Sequence, residues 1–378
     1  MGNKKIYLSS PHMGGEERKF IDEAFNSNWI APLGKNVDEF EREVSTFVGV
    51  ESALATVSGT SAIHMALKCV NVKPHDIVFC SSLTFAASCN PIIYENAIPV
   101  FIDSDMDTWN MSPLALEKAL KKYKKLQKIP KAVIVVDLYG ESAKYNEIKF
   151  ICNKYNVPII EDSAEALGSE YKNRKLGSLG DYSVFSFNGN KIITTSGGGM
   201  LLSNNVNMLN KAKFWITQAR ENKRYYEHKE LGYNYRMSNV LAGIGRGQMK
   251  VLEKHIKKKR EIFKLYSKFF KESSFLEMKR DWIDSKSNKW LSCALLSKNC
   301  NLKPLDIIVN LEKNNIEARH IWKPMHMQPF YKKYDFISEK EKGSNAEDIF
   351  NRGICLPSDT KNTIQDMERI AFIIKDMF

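Results

Sequence analysis

Three short stretches hold residue types that could do chemistry. Val57-Ser58-Gly59-Thr60-Ser61-Ala62 leads into the helix-like run Ile63-His64-Met65-Ala66-Leu67. Small and hydroxyl residues at a helix start expose backbone N–H groups and the positive end of the helix dipole, which suits a phosphate. An ordinary Ser/Thr N-cap would look the same. His64, inside the helical pattern, reads as a packed or exposed side chain rather than a catalytic one. Val157-Pro158-Ile159-Ile160 runs into Glu161-Asp162, acidic groups at a strand tip that are either functional or a cap or solvated turn. Ser183 to Phe187 ends in Asn188-Gly189-Asn190-Lys191, followed by Ile192-Ile193-Thr194-Thr195-Ser196 and Gly197-Gly198-Gly199. A lysine between loop-forming residues is usually surface charge; at a strand end before a polar, glycine-rich turn it is a candidate amine nucleophile. A phosphate cradle, a strand-end aspartate and a strand-end lysine in one unit fit pyridoxal phosphate. That cofactor needs an anion site, a carboxylate to keep its ring nitrogen protonated and a lysine for a Schiff base.

The elements that must position these groups alternate. From about residue 50 to 205, short apolar runs (Ile77–Cys80, Pro99–Asp103, Ala132–Val136, Val157–Ile160, Ser183–Phe187) alternate with helix-like segments such as Pro113–Tyr123 and Glu147–Tyr155. That spacing predicts an α/β fold, a mostly parallel sheet flanked by helices, with ligands at the carboxyl ends of its strands. After about Gly245 the texture changes to a long amphipathic helix, a strand from Trp290 to Ser297 and a final helix from Ile364 to Met377. We therefore expect residues 1–245 to form an N-terminal arm and a large α/β domain, and residues 246–378 a smaller α+β domain joined by a helix rather than a flexible linker.

Composition removes several alternatives. The 378 residues are 43% hydrophobic and 26% charged, an ordinary globular balance. No apolar run approaches the ~20 residues that span a bilayer, and no apolar segment follows Met1-Gly2-Asn3-Lys4-Lys5-Ile6, so no membrane span or signal peptide is expected. Seven scattered cysteines, odd in number and never spaced C-x-x-C, argue against a disulfide frame or a zinc site and for a reducing cytoplasm; no metal is expected. The net charge of +12 comes mostly from dispersed residues. The dense run Lys254–Arg260 shares its stretch with Leu252, Ile256, Phe263, Tyr266 and Phe270, the pattern of an amphipathic helix with a solvated basic face, not a nucleic-acid footprint.

The motifs, in their order and spacing, resemble the DegT/DnrJ/EryC1/StrS group of pyridoxal-phosphate-dependent sugar aminotransferases. The matching stretches are Ser58-Gly59-Thr60-Ser61-Ala62, Glu161-Asp162-Ser163-Ala164-Glu165-Ala166-Leu167-Gly168, Phe185-Ser186-Phe187-Asn188-Gly189-Asn190-Lys191 and Gly232-Tyr233-Asn234-Tyr235-Arg236-Met237. Pro11-His12-Met13-Gly14-Gly15, Asn28-Trp29-Ile30-Ala31-Pro32-Leu33-Gly34 and His320-Ile321-Trp322-Lys323-Pro324-Met325-His326 look more narrowly like aminotransferases acting on UDP-linked 4-keto-6-deoxy-N-acetylglucosamine, in bacillosamine-type and legionaminic-type pathways. The resemblance implies the aspartate aminotransferase-like fold (fold type I) and a site built across a homodimer interface. It makes Lys191 the Schiff-base lysine and Asp162 the partner of the pyridine nitrogen. Thr60, Ser61 and Ser186 would bind the cofactor phosphate, Phe85 would stack on its ring, and Asn234 would reach the phosphate of the neighbouring subunit. Arg220, Arg236, Trp322 and His326, with His12, Asn28, Trp29 and Asn188, are the expected substrate contacts. Arg236 could instead anchor a dimer, and Trp322 could be core.

Two positions depart from the commoner family pattern: Asn188 where many members carry His, and Glu165 where Gln or His usually sits near the cofactor's phenolic oxygen. An ionised glutamate beside a phenolate is a like-charge pair, so one pKa must rise or the carboxyl must turn away. By resemblance the amino donor is L-glutamate and the acceptor a UDP-keto-sugar. A dTDP- or GDP-linked 3- or 4-keto-6-deoxy sugar is the alternative, and a regulatory or DNA-binding protein a distant one. Family members that dehydrate instead of transaminating replace the lysine by histidine, so Lys191 points to transamination.

Overall fold

A computed structural model describes residues 4–378; Met1, Gly2 and Asn3, the start of the segment read for a signal sequence, lie outside the described residues. The main sheet is built from β1 (Ser52–Thr56), β2 (Ile77–Ser81), β3 (Ile98–Ile102), β4 (Ala132–Val136) and β5 (Ile159–Asp162). After the short pair β6 (Glu170–Tyr171) and β7 (Arg174–Lys175) it continues with β8 (Tyr182–Ser186) and β9 (Gly199–Ser203). Its order is β1-β9-β8-β5-β4-β2-β3, and the one reversed strand is β9, antiparallel to both neighbours.

Side-chain alternation along each strand sends residues to two cores. Val78, Cys80, Ala132 and Ile134 join one layer, while Phe79, Val133 and Val135 join the other. Both faces are covered by helices, as a parallel sheet requires. Helices α1 (Glu17–Asn26) and α2 (Lys35–Val48) precede the sheet, and α3 (Gly59–Cys69) packs against β8 and β9. The expected helices appear as Pro113–Lys125 and Tyr145–Asn153.

The later chain forms a four-stranded antiparallel sheet, ordered Leu276–Met278, Ser292–Leu296, Gly353–Leu356 and Arg319–His320. It packs under the helix Leu252–Phe269, with Ile262, Tyr266 and Phe270 in its core. Three features cross the expected division at residue 245. The helix Asn239–Met249 contains that position and packs on α1 and α2. The strand Phe336–Ile337 returns to the main sheet and pairs in parallel with β3. Ile6 of the arm is 1% exposed in the core of the second sheet and bridges Ile316. Phe336–Ile337 fills an edge and Ile6 a core, and each is too short to show its partner in the sequence. Among the described residues no helix is long and apolar enough to cross a membrane.

Candidate active site

The carboxyl ends of β1, β2, β4, β5 and β8 converge on a cavity of about 310 Å³. Asp162, the last residue of β5, faces it; Glu161 does not. Neighbouring strand residues point to opposite faces, so the acidic pair splits. Glu161 is fully buried and accepts from the amides of Leu179 and Gly180 (both 2.7 Å) and the hydroxyl of Ser183 (2.7 Å). Its work is to hold a loop. Asp162 accepts from Ser88 Oγ at 2.6 Å and from the Ala164 amide at 3.2 Å. Burial pushes its pKa up, against the pull of those two hydrogen bonds and of Lys191.

Lys191 follows the turn after β8, its amide bonded to the Asn188 carbonyl. Its Nζ lies 3.3 Å from Glu165 Oε1 and 4.2 Å from the centre of the Trp290 ring. Glu165 also accepts from the Tyr139 amide at 2.7 Å through its other oxygen. The Glu165 carboxyl thus sits between the Tyr139 amide and the Lys191 amine. At the opposite wall, α3 starts with Ser58 as N-cap, its Oγ accepting from the Ser61 amide at 3.1 Å. Ser58, Gly59, Thr60 and Ser186 line the cavity there. A Cβ on Gly59 would stand 3.1 Å from Ser186 Cβ, so glycine lets the helix end close on β8.

Of the expected residues, Thr60, Phe85, Asp162, Glu165, Ser186, Asn188, Lys191 and Trp322 line this one cavity. Others do not, and three of them have partners of their own in this chain. Ser61 is buried with its hydroxyl on Ser58 Oγ, inside the cap rather than the cradle. Arg236, with 3% of its side chain exposed, is ion-paired to Glu41 within the same chain. His326 is held by Ser82 Oγ (2.6 Å) and Glu347 (3.0 Å) and stacks on Phe336. Ser61 is held by its local cap, whereas Arg236 and His326 are held by partners from distant segments that no local pattern displays. His12 bonds Thr360 and stacks on His255. Asn28, Trp29, Arg220 and Asn234 lie outside this cavity, and all four are exposed.

Sequence reading missed Ser88, Tyr139 and Trp290. Tyr139 has φ +54°, is buried, and stacks between Trp290 (6.2 Å) and Trp322 (6.1 Å) while its hydroxyl accepts from the Trp322 amide. A tyrosine held in the left-handed region is rare, yet nothing around it in sequence announces the turn. Ser88 belongs to a single turn, Ala86–Ser88, without a motif.

Residues 11–375 match the DegT/DnrJ/EryC1/StrS aminotransferase family. The chain belongs to that family. It is 50% identical to the provisionally named pyridoxal phosphate-dependent aminotransferase EpsN of Bacillus subtilis (strain 168), over 100% of this chain and 96% of that one. It is 35% identical to the GDP-perosamine synthase of Escherichia coli O157:H7, over 94% and 93% of the two chains. Among solved structures, Helicobacter pylori PseC, an aminotransferase involved in pseudoaminic acid biosynthesis, superposes with a TM-score of 0.89 at 27% identity, covering 99% of each chain. As a DegT/DnrJ/EryC1/StrS member the chain is an enzyme, a pyridoxal phosphate-dependent aminotransferase with the fold-type I architecture.

The cavity's donor set fits that cofactor. A buried carboxyl, an amine, the start of α3 with two serines and a threonine, and the Phe85 ring meet in a single space. These are the groups that a pyridine nitrogen, an aldehyde, a phosphate and an aromatic face require.

Proposed function

We propose that this enzyme moves the amino group of L-glutamate to the 4-keto group of a UDP-linked 4-keto-6-deoxy-N-acetylhexosamine. The products are UDP-4-amino-4,6-dideoxy-N-acetylglucosamine and 2-oxoglutarate. The observation that carries the chemistry is the pairing of Lys191 Nζ and Asp162 across one cavity that also receives the start of α3. Bound there, the cofactor supplies an electron sink for the carbon that loses its proton.

The chain's own residues divide the remaining work. Lys191 Nζ holds the cofactor and, once displaced by the donor amine, moves the proton between the two carbons that exchange it. Glu165 Oε1, 3.3 Å from Lys191 Nζ, would orient it for the proton transfer. Asp162, with Ser88 and the Ala164 amide behind it, holds the ring nitrogen's proton. Ser58, Thr60, Ser186 and the first amides of α3 bind the phosphate, and Phe85 covers the ring. Trp322 and Asn188 face the keto sugar, and the Trp322 indole N–H, buried with no acceptor among the described residues, is a donor awaiting one.

The outer wall of the site comes from a second copy in a homodimer. Asn234 is exposed, as are Trp29, Tyr226 and Leu231, a surface better suited to a partner than to water. In that assembly Asn234 reaches the neighbouring copy's phosphate, while Arg220, Asn28, Trp29 and His12 stand near its sugar nucleotide.

A UDP-linked acceptor is supported by the 34% identity to the UDP-4-amino-4,6-dideoxy-N-acetyl-beta-L-altrosamine transaminase of Campylobacter jejuni. A GDP-linked 4-keto sugar is the second reading, favoured by the GDP-perosamine synthases at 31–35% identity. The test is a pair of half-reactions followed by visible absorbance. L-Glutamate should discharge the cofactor-loaded protein, and UDP-4-keto-6-deoxy-N-acetylglucosamine should restore its spectrum. Restoration only by a GDP-linked keto sugar transfers the reading to that nucleotide. Lys191→Ala should abolish turnover, and substantial retained transamination would sink the role given to Lys191.

A further inference from the structure

Among the basic residues read as a solvated face, one is buried. Lys259, on the helix Leu252–Phe269, is 2% exposed. Its Nζ makes two hydrogen bonds, to Ser9 Oγ and to the Trp290 carbonyl, both 2.9 Å. Those partners lead to the catalytic loop. Ser9 Oγ donates to the Asn190 carbonyl at 3.1 Å, and Trp290 Nε1 donates to that same oxygen at 2.7 Å. One helical turn before Lys259, His255 Nδ1 lies 3.1 Å from the Ile192 carbonyl. The carbonyls on both sides of Lys191 are therefore held from one helix face, and the Lys191 amine rests over the Trp290 ring.

We propose that Lys259 is a positioning residue for Lys191, an uncharged two-donor brace acting through Ser9, Trp290 and the Asn190 carbonyl, and that protonating it disturbs Lys191. This inference rests on the reading of Lys191 as the reactive amine. The donor count supports the uncharged form. A neutral amine has two N–H groups, and both have acceptors; an ammonium has a third, for which the described residues show none. Burial holds the Lys259 ammonium down to about 7, with Asp359 opposing it. Asp359 is no direct partner, because its carboxylate holds the Ser10 amide (2.8 Å) and hydroxyl and has Lys361 beside it. The other groups facing the brace are His255, which burial keeps below its ordinary pKa, and His12 stacked on it. Lys191 rests over the ring of Trp290, the residue whose carbonyl Lys259 holds. Below about pH 7 the added proton gives Lys259 a charge and a third N–H, which disturbs the hydrogen bonds to Ser9 and the Trp290 carbonyl through which the Asn190 carbonyl is held.

The experiment compares wild type, Lys259→Met, Ser9→Ala and Trp290→Phe, with Lys191→Ala as control. Cofactor-free protein is titrated by tryptophan fluorescence from pH 5.5 to 9, and cofactor-loaded protein by visible absorbance over the same range. Wild type should show an inflection near pH 7 in both, and Lys259→Met in neither. Lys259→Met should lose about tenfold in kcat with KM for L-glutamate held within about twofold, the pattern of a misplaced catalytic group. Ser9→Ala and Trp290→Phe leave Lys259 titratable and should keep the absorbance inflection, and Ser9→Ala the fluorescence one too, while lowering kcat by about threefold. Titrations of Lys259→Met that superpose on wild type, or an unchanged kcat, would overturn the brace. Should Lys259→Met fail to fold, the Ser9 and Trp290 variants decide, and wild-type kcat in both is the overturning result. A visible band that persists in Lys191→Ala refutes the Lys191 reading instead, while the fluorescence titration still reports on Lys259.

Discussion

Glu165 touches two things whose needs differ, and substitution separates them. Gln keeps an acceptor for the Tyr139 amide but removes the charge beside Lys191. Glu165→Gln should therefore fold with wild-type urea stability and lose kcat by several-fold. Glu165→Ala leaves a buried N–H without an acceptor, an expected loss of about 1–3 kcal/mol in the same urea unfolding. Asp162→Asn should bind cofactor and lose at least about 10²-fold in kcat, because a neutral amide cannot hold a ring proton; activity near wild type would remove Asp162 from the chemistry. Lys259 carries a stability signature as well. Its folded pKa of about 7 lies below the unfolded value of 10.5, so between those pH values the unfolded chain binds more protons. Stability should then rise with pH across that window, by at most about 1.4 kcal/mol per pH unit from this group, and the rise should be smaller in Lys259→Met. Lys191, Asp162, Thr60 and Ser186 are legible in sequence because each sits where a strand ends or a helix begins. Tyr139, Ser88 and Trp290 are not, since only tertiary contact brings them there, and the pairing of Arg236 with Glu41, 195 positions away, is equally invisible in the sequence.

Helix Asn239–Met249 shows how an element can oppose its own propensity. Gly243, Gly245 and Gly247 cost helix stability relative to alanine. A Cβ on Gly247 would stand 2.5 Å from the Glu17 Cα, and one on Gly245 would stand 2.6 Å from the Phe40 ring. The glycines let α1 and α2 lie directly on this helix, which carries the arm into place. Gly247→Ala gains about 1 kcal/mol of propensity but must push α1 backbone aside, for a net loss of about 1–3 kcal/mol readable by thermal unfolding. Strands β2, β3, β4, β5 and β8 are legible because buried parallel strands read as unbroken apolar runs, whereas β1 and the reversed β9 are not read as strands. The Leu252–Phe269 helix was legible in its period and misleading in its charge: amphipathic spacing separates apolar from polar positions but cannot mark the single lysine that faces inward.

At the scale of the molecule, the late chain and the early chain are sewn together. Ile6 packs beneath the second sheet, Lys4 pairs with Asp366, and Phe336–Ile337 extends the first sheet. A boundary near residue 245 marks where the texture changes but not where contact stops, and calorimetry should show one transition rather than two. The strand Phe336–Ile337 also sets an order of events during synthesis. The sheet starts with β1 near residue 52, yet the outer edge of β3 stays bare until residue 337 has left the ribosome. An uncovered strand edge invites other chains, so nascent chains halted before that point should be the ones that chaperones hold.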